Sequence, residues 1–207
     1  MNVDERLTKQ SKLWQNRFQA LAMRALGEKN GKRLVQKFTK AFPADYRSLI
    51  SPRYALNDIL QLERLSASDD LRISLVRPHP KNPDYRLHFY SLRNHFLDEF
   101  IPLLENMSLR VVDQVQFSFG INNTIAAVKS FTIKAAKSQC APFSLLSKRL
   151  LETIQAVMES RVENDALNKL CVLTGLGWQE IDVLRAYRNY YLQLGHRTTQ
   201  ASFHHAL

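Results

Sequence analysis

Only a handful of residues in this sequence have types and spacings that could do chemistry. Gly175-Leu176-Gly177 comes nearest to the glycine-rich turn that cradles a dinucleotide pyrophosphate, but Glu180 stands where the third glycine is needed. The stretch also lies between two helical patterns rather than between a strand and a helix, so no dinucleotide site is expected. His204 and His205 are adjacent, so on a helix their rings point about 100° apart, with no Cys or carboxylate at ligand spacing. Glu163 and Asp165 invite an acid–base pair, yet a carboxylate opening a helix is an ordinary cap. Arg185-Ala186-Tyr187-Arg188-Asn189-Tyr190-Tyr191 mixes basic and aromatic residues, as a base-stacking surface would. Tyr187 and Tyr191 are i, i+4 and continue the stripe of Trp178, Ile181 and Leu184, so they are predicted to be core with the arginines outward. No catalytic, cofactor-binding or metal-binding residue is expected from these motifs.

Composition narrows the classes. The chain has 207 residues, 45% of them hydrophobic and 23% charged, an ordinary balance for a globular protein. No apolar run approaches the roughly 18 residues needed to cross a bilayer, and the N-terminus has no signal-peptide core. Cys140 and Cys171, without CxxC spacing, fit a reducing cytoplasm. The net charge is +10. Residues 1–50 carry 11 Lys/Arg against 4 Asp/Glu, whereas residues 163–207 carry 4 of each. The excess is spread along helices rather than gathered in one tract with readout residues beside it. That pattern favours a solvated or protein-facing surface over a nucleic-acid binder.

The elements that must position these residues follow from periodicity. Helical spacing over 4–26 aligns Leu7, Trp14, Phe18, Leu21 and Ala25, with Gly27 and Gly31 marking the end and a link. A second helix carries Leu34, Val35 and Phe38 and stops before Pro43. Ser51-Pro52 is a helix start, and that helix runs to about residue 65. The period then changes to two. Leu71, Ile73 and Leu75 alternate with polar neighbours, as do Tyr85, Leu87 and Phe89, across a breaker-rich loop at 78–84. A helix over 96–107 is followed by strands at 109–119 and 130–135. Alternation predicts an antiparallel sheet with one covered and one wetter face, placing His88 on the polar side and His95 in a loop. The order αββαββ is a circular shift of the ferredoxin-like βαββαβ, with the last strand taking the place of the first. From Pro142 onward three more apolar stripes are closed by Gly175 and Gly195. One further helix starts at Thr198 or Thr199 and runs to Leu207 without a breaker, as in a cut through a longer protein.

These residues resemble one family. Trp14, Ala41-Phe42-Pro43 with Tyr46, Ala55 with Asp58-Ile59, and Tyr85-Arg86-Leu87 are similar, in order, to the last part of the N-terminal segment of the large NAD-dependent glutamate dehydrogenases. The longest matches are PLLENMSLRVVD over 102–113 and ENDALNKLCVLTGLGWQEIDVLRAY over 163–187. Ser108 stands where the family has glycine, and the run before Glu180 lacks the family's arginine. The resemblance implies an α+β chain: N-terminal helices over 1–50, an ACT-like domain over 51–137, and a truncated helical subdomain over 138–207. The ACT-like domain is a four-stranded antiparallel sheet with two helices. The parent reaction it implies oxidises L-glutamate with NAD, in a cytoplasmic homo-oligomer. This piece is expected to be inactive alone, to hold no cofactor, and to meet the catalytic core. ACT-like modules also bind amino acids, which makes Asn94, His95, Asn106 and Ser108, with Glu163 and Asp165, the candidate ligand or interface residues. The rival readings are a freestanding amino-acid sensor and a basic nucleic-acid binder.

Overall fold

The computed structural model describes residues 3–39, 41–66, 70–76, 84–93, 95–121, 124–135 and 140–194. Its elements, in chain order, are α1 (Val3–Leu26), α2 (Glu28–Phe38), α3 (Ala44–Leu49), α4 (Pro52–Glu63), β1 (Leu71–Val76), β2 (Tyr85–Ser91), α5 (Leu97–Asn106), β3 (Leu109–Ile121), β4 (Thr124–Ala135), α6 (Phe143–Met158), a short 3₁₀ turn (Ala166–Lys169), α7 (Leu170–Thr174) and α8 (Trp178–Gln193). The four strands form one antiparallel sheet in the order β1-β2-β4-β3, so the expected α+β class holds. The predicted loop at 78–84 lies almost wholly outside the described residues. So do Gly195 and everything beyond it, including His204 and His205.

The described residues fall into two compact units, Met1–Arg72 with Phe89–Asn94 and Val115–Ser130, and Ile73–His88 with His95–Gln114 and Phe131–Leu207. In the first unit α1 turns Trp14, Phe18 and Ala22 inward at i, i+4, i+8. Ala25, predicted on that face, is exposed, and the side chain of Leu7 is outside the described residues. Gly31 does not end a helix. It sits inside α2, where a Cβ would lie 2.7 Å from the Met23 Cα. The missing side chain lets α2 close onto α1, while Gly27, with φ 79°, makes the turn between them.

Below that contact, Trp14, Phe18, Phe42, Tyr46, Phe117 and Phe119 form a continuous aromatic cluster with ring centroids 4.8–6.1 Å apart. The Trp14 Nε1 donates to the Ile50 carbonyl at 2.7 Å. Asp58 of α4 is buried and accepts from the Tyr46 hydroxyl at 2.6 Å and the Tyr90 hydroxyl at 2.7 Å. One carboxylate thereby ties α3, α4 and β2 together. Burial, with the Asp58 charge and hydrogen bond added, pushes the Tyr46 hydroxyl far above its ordinary range, so it stays a donor.

In the second unit Phe100, Leu103 and Leu104 are the buried face of α5, and Phe100 meets Phe131 at 5.4 Å. Phe143, Leu146, Leu150 and Ile154 are the buried stripe of α6, as the spacing predicts. Cys171 of α7 is buried, its thiol pushed up by burial, and Gly175 closes α7 with φ 77°.

The predicted wetter sheet face does not exist on the inner strands. Residues 87–91 of β2 and 126–133 of β4 are buried without alternation, including His88, Lys129, Ser130 and Thr132. Alternation in a sequence marks which side chains point apart. It cannot say whether the polar side is also covered. Edge strand β1 is half-buried along all six residues. Edge strand β3 keeps a buried side at Leu109, Phe117 and Phe119, with Asp113 exposed.

Candidate functional site

The chemistry-bearing residues gather where α8, the 3₁₀ turn and the end of α5 meet. Asp165 opens the 3₁₀ turn and accepts from the Leu167 N–H at 3.1 Å, so the capping expectation holds. The same carboxylate does more. Arg185 approaches it side-on, with Nε donating to Oδ2 at 3.0 Å and one terminal nitrogen to Oδ1 at 3.0 Å. Arg188 donates to Oδ2 at 2.6 Å. Arg185 also donates to the Asp182 carboxylate at 2.7 Å and the Asn168 side-chain oxygen at 3.0 Å. Asn168 closes the ring by donating to the Glu163 carbonyl at 3.0 Å. Glu163 stands outside, 63% exposed, at 3.4 Å from Arg188.

The electrostatics follow from this geometry. Burial alone drives the Asp165 carboxyl upward, but hydrogen bonds and charge from Arg185 and Arg188 outweigh it and hold the group below the usual carboxylate range. Burial opposes the charge on Arg185 as well, and its bonds to Asp165 and Asp182 more than restore it.

Arg185 is 3% and Arg188 1% exposed, whereas Tyr187 is 70% and Tyr190 62% exposed. The expected polarity of α8 is therefore inverted. Ile181, Arg185 and Arg188, at i, i+4 and i+7, face inward. Val183, Tyr187, Tyr190 and Leu194 repeat the same spacing on the solvent side, with Tyr191 beside them. Apolar count alone chose the tyrosine stripe as core. Two carboxylates at Glu163 and Asp165, in a tail with as many basic as acidic residues, were the signal for buried arginines.

The other candidates divide by location. The Asn106 side-chain amide, at the end of α5, donates to the Asn164 carbonyl at 3.2 Å and its side-chain oxygen at 3.0 Å, which joins it to the Glu163–Asp165 corner. Ser108 follows with φ 60° and little exposure. His95 lies in a loop, as expected, at the opposite end of α5, roughly 15 Å away for a ten-residue helix. Its Nδ1 lies 2.9 Å from the Glu99 carboxylate. Asn94 is outside the described residues. His88 is buried in β2 rather than on a wet face, because that face is covered.

An open cleft of about 580 Å³ runs beside the cluster, bordered by Arg161, Glu163, Asn164, Asp182, Arg185 and Asn189. Arg185, the buried arginine bordering it, is committed to the Asp165 and Asp182 carboxylates, so the arrangement is a latch holding α8 rather than a set of free acids and bases. The Glu180 carboxylate accepts from the Gly177 N–H at 2.7 Å, occupying the α8 N-terminus with the chain's own charge. Among the described residues, no group of three or more His, Cys, Asp or Glu stands ready to hold a metal, and no helix is long and apolar enough to cross a membrane.

This corner of the chain is also where the comparisons are informative. Residues 162–207 match a family described as glutamate dehydrogenase, helical motif 3, and residues 21–65 match glutamate dehydrogenase, helical motif 2. The first holds the arginine latch and α8, and the second runs from the end of α1 to α4. The chain is 27% identical over 196 residues to the NAD-specific glutamate dehydrogenase of Pseudomonas aeruginosa, and 26% over 195 to that of Halomonas elongata. It is 24% identical over 202 residues to that of Mycobacterium tuberculosis. These alignments cover 93–94% of this chain and 12% of each relative, so the chain spans about an eighth of their length. The resemblance to the N-terminal segment of the NAD-specific glutamate dehydrogenases therefore holds along almost the entire chain.

Proposed function

We propose that this chain serves as a non-catalytic assembly segment of an NAD-specific glutamate dehydrogenase, docking through the outer face of α8 onto the rest of that enzyme. The relatives' name supplies the parent reaction, glutamate oxidation with NAD as cofactor. The supporting observation is the inverted α8. Its arginines are fixed inward by Asp165, and its Val183–Tyr187–Tyr190–Leu194 stripe is left in water. An i, i+4, i+7 row of exposed apolar groups is how a helix presents anchors to a partner. The occupant follows from length, because each relative carries about eight times as much polypeptide as this chain provides.

The ACT-like reading of the sheet draws support from the order β1-β2-β4-β3, which puts β4 at the centre, as the permuted ferredoxin-like arrangement requires. An amino-acid site there draws less, since Asn106 and His95 are satisfied by Asn164 and Glu99 at opposite ends of α5.

The test is capture of the remaining polypeptide of such a dehydrogenase by residues 1–207 and by Tyr187→Ser/Tyr190→Ser. Binding by the parent chain, weakened at least tenfold in the variant with an unchanged melting temperature, is expected. Equal binding, no binding by either, or self-association of the chain through the same stripe would reject the assignment.

A further inference from the structure

A second surface, in the first unit, has chemistry that the docking role does not use. Arg17, Ala20, Leu21 and Arg24 lie at i, i+3, i+4 and i+7 on α1 and face the start of α4, where Pro52 is the first helical residue and Arg53 the second. Between them is an open cleft of about 430 Å³, with Leu21, Ala20 and Pro52 as apolar lining and the three arginines around it. That is within the usual size range of small-molecule sites, about 300–1,000 Å³. No ion pair holds Arg17, Arg24 or Arg53 among the described residues, and all three are exposed. Lys32 and Arg33, by contrast, are paired with Glu28 and Glu63.

Arg53 is also in the wrong place for helix stability. The N-terminal end of a helix carries partial positive charge and favours Asp or Glu, yet the first turn of α4 has no acidic residue. Three arginine stems thus border one concave, largely apolar spot with no acid lining it, their exposed guanidiniums beside the N-terminal end of α4. Guanidinium forks match carboxylate and phosphate oxygens two at a time, and their stems flank an apolar body.

We infer that this cleft binds a small organic polyanion, a compact apolar or planar body bearing two or more carboxylate or phosphate charges. Such a ligand would neutralise the focus and relieve the misplaced cation on α4. Recognition is independent of the α8 surface and of any docking there.

The experiment is calorimetry on the full chain with three probes: a nucleoside triphosphate, inorganic triphosphate and a tricarboxylate. Arg17→Ala/Arg53→Ala is the variant and Lys12→Ala the control. The expected result is saturable one-site binding of at least one probe, weakened tenfold or more in the double variant, unchanged in the control, and reduced by added salt. The apo double variant should melt at or above the parent temperature, because it removes a cation from a helix N-terminus, so lost binding cannot be lost folding. A nucleoside triphosphate binding more tightly than inorganic triphosphate assigns the lining to a planar body. The reverse order assigns it to charge alone and overturns the organic part. No saturable binding of any probe, or binding equal in parent and double variant, overturns the site.

Discussion

Ser108 and Asp165 show how far single residues reach. Ser108 adopts φ 60° just after α5, a left-handed geometry that costs an L-residue about 1–2 kcal/mol. Ser108→Gly should therefore stabilise the chain slightly, by up to about 1 kcal/mol after the glycine's larger unfolded-state entropy is subtracted. Ser108→Val should destabilise it, because a β-branched residue tolerates that geometry worst. Urea unfolding measures both, and the assignment is wrong if the glycine variant loses as much stability as the valine variant. Asp165 carries a heavier load. Its carboxyl is depressed in the folded state, so its contribution is present above the unfolded value near pH 4 and disappears as pH falls through the lower folded value. Asp165→Ala strands Arg185 and Arg188 inside the protein and should cost about 3–5 kcal/mol at neutral pH. Between pH 3 and neutral, stability of the variant should change less than that of the parent. Parallel pH curves would show that Asp165 is not the group holding the latch. The cap at Asp165 was legible from the sequence. The two arginines on the same carboxylate were not, since residues about 20 positions apart meet only after α7 turns at Gly175.

Elements tell a similar story. Periodicity located α1, α2, α4, α5, α6 and α8 and all four strands, while the six-residue α3 is too short to show a period. Gly31 is the instructive position. By helix propensity alone, Gly31→Ala should gain about 1 kcal/mol. The structure reverses that sign, because the added Cβ would stand 2.7 Å from the Met23 Cα and 2.8 Å from its backbone nitrogen, neither of which can swing aside. The substitution should cost about 1–3 kcal/mol, the usual toll of overpacking. Thermal melting decides it, and a higher melting temperature for Gly31→Ala would refute the close packing of α1 and α2. In α8 the same rule of periodicity found the right element and the wrong face. Two stripes with identical spacing compete, and the one with fewer apolar residues is buried because Asp165 supplies the charge its arginines need.

At the scale of the molecule, composition and order carried most of the functional reading. The glutamate dehydrogenase resemblance rests on long collinear stretches that survive at 24–27% identity, and sequence alone is sufficient for that. The α+β class and the αββαββ order were likewise fixed along the chain, because strand and helix periods are local properties. Three matters belonged to the tertiary structure. The inner strands are covered on both faces, although their alternation promised one wet face. Arg185 and Arg188 are inside while Tyr187 and Tyr190 are outside. Arg17, Arg24 and Arg53 share one cleft although the third is 29 positions beyond the second. Each depends on which distant groups come together, and a one-dimensional pattern records the period of a face but not the charge of what it will meet.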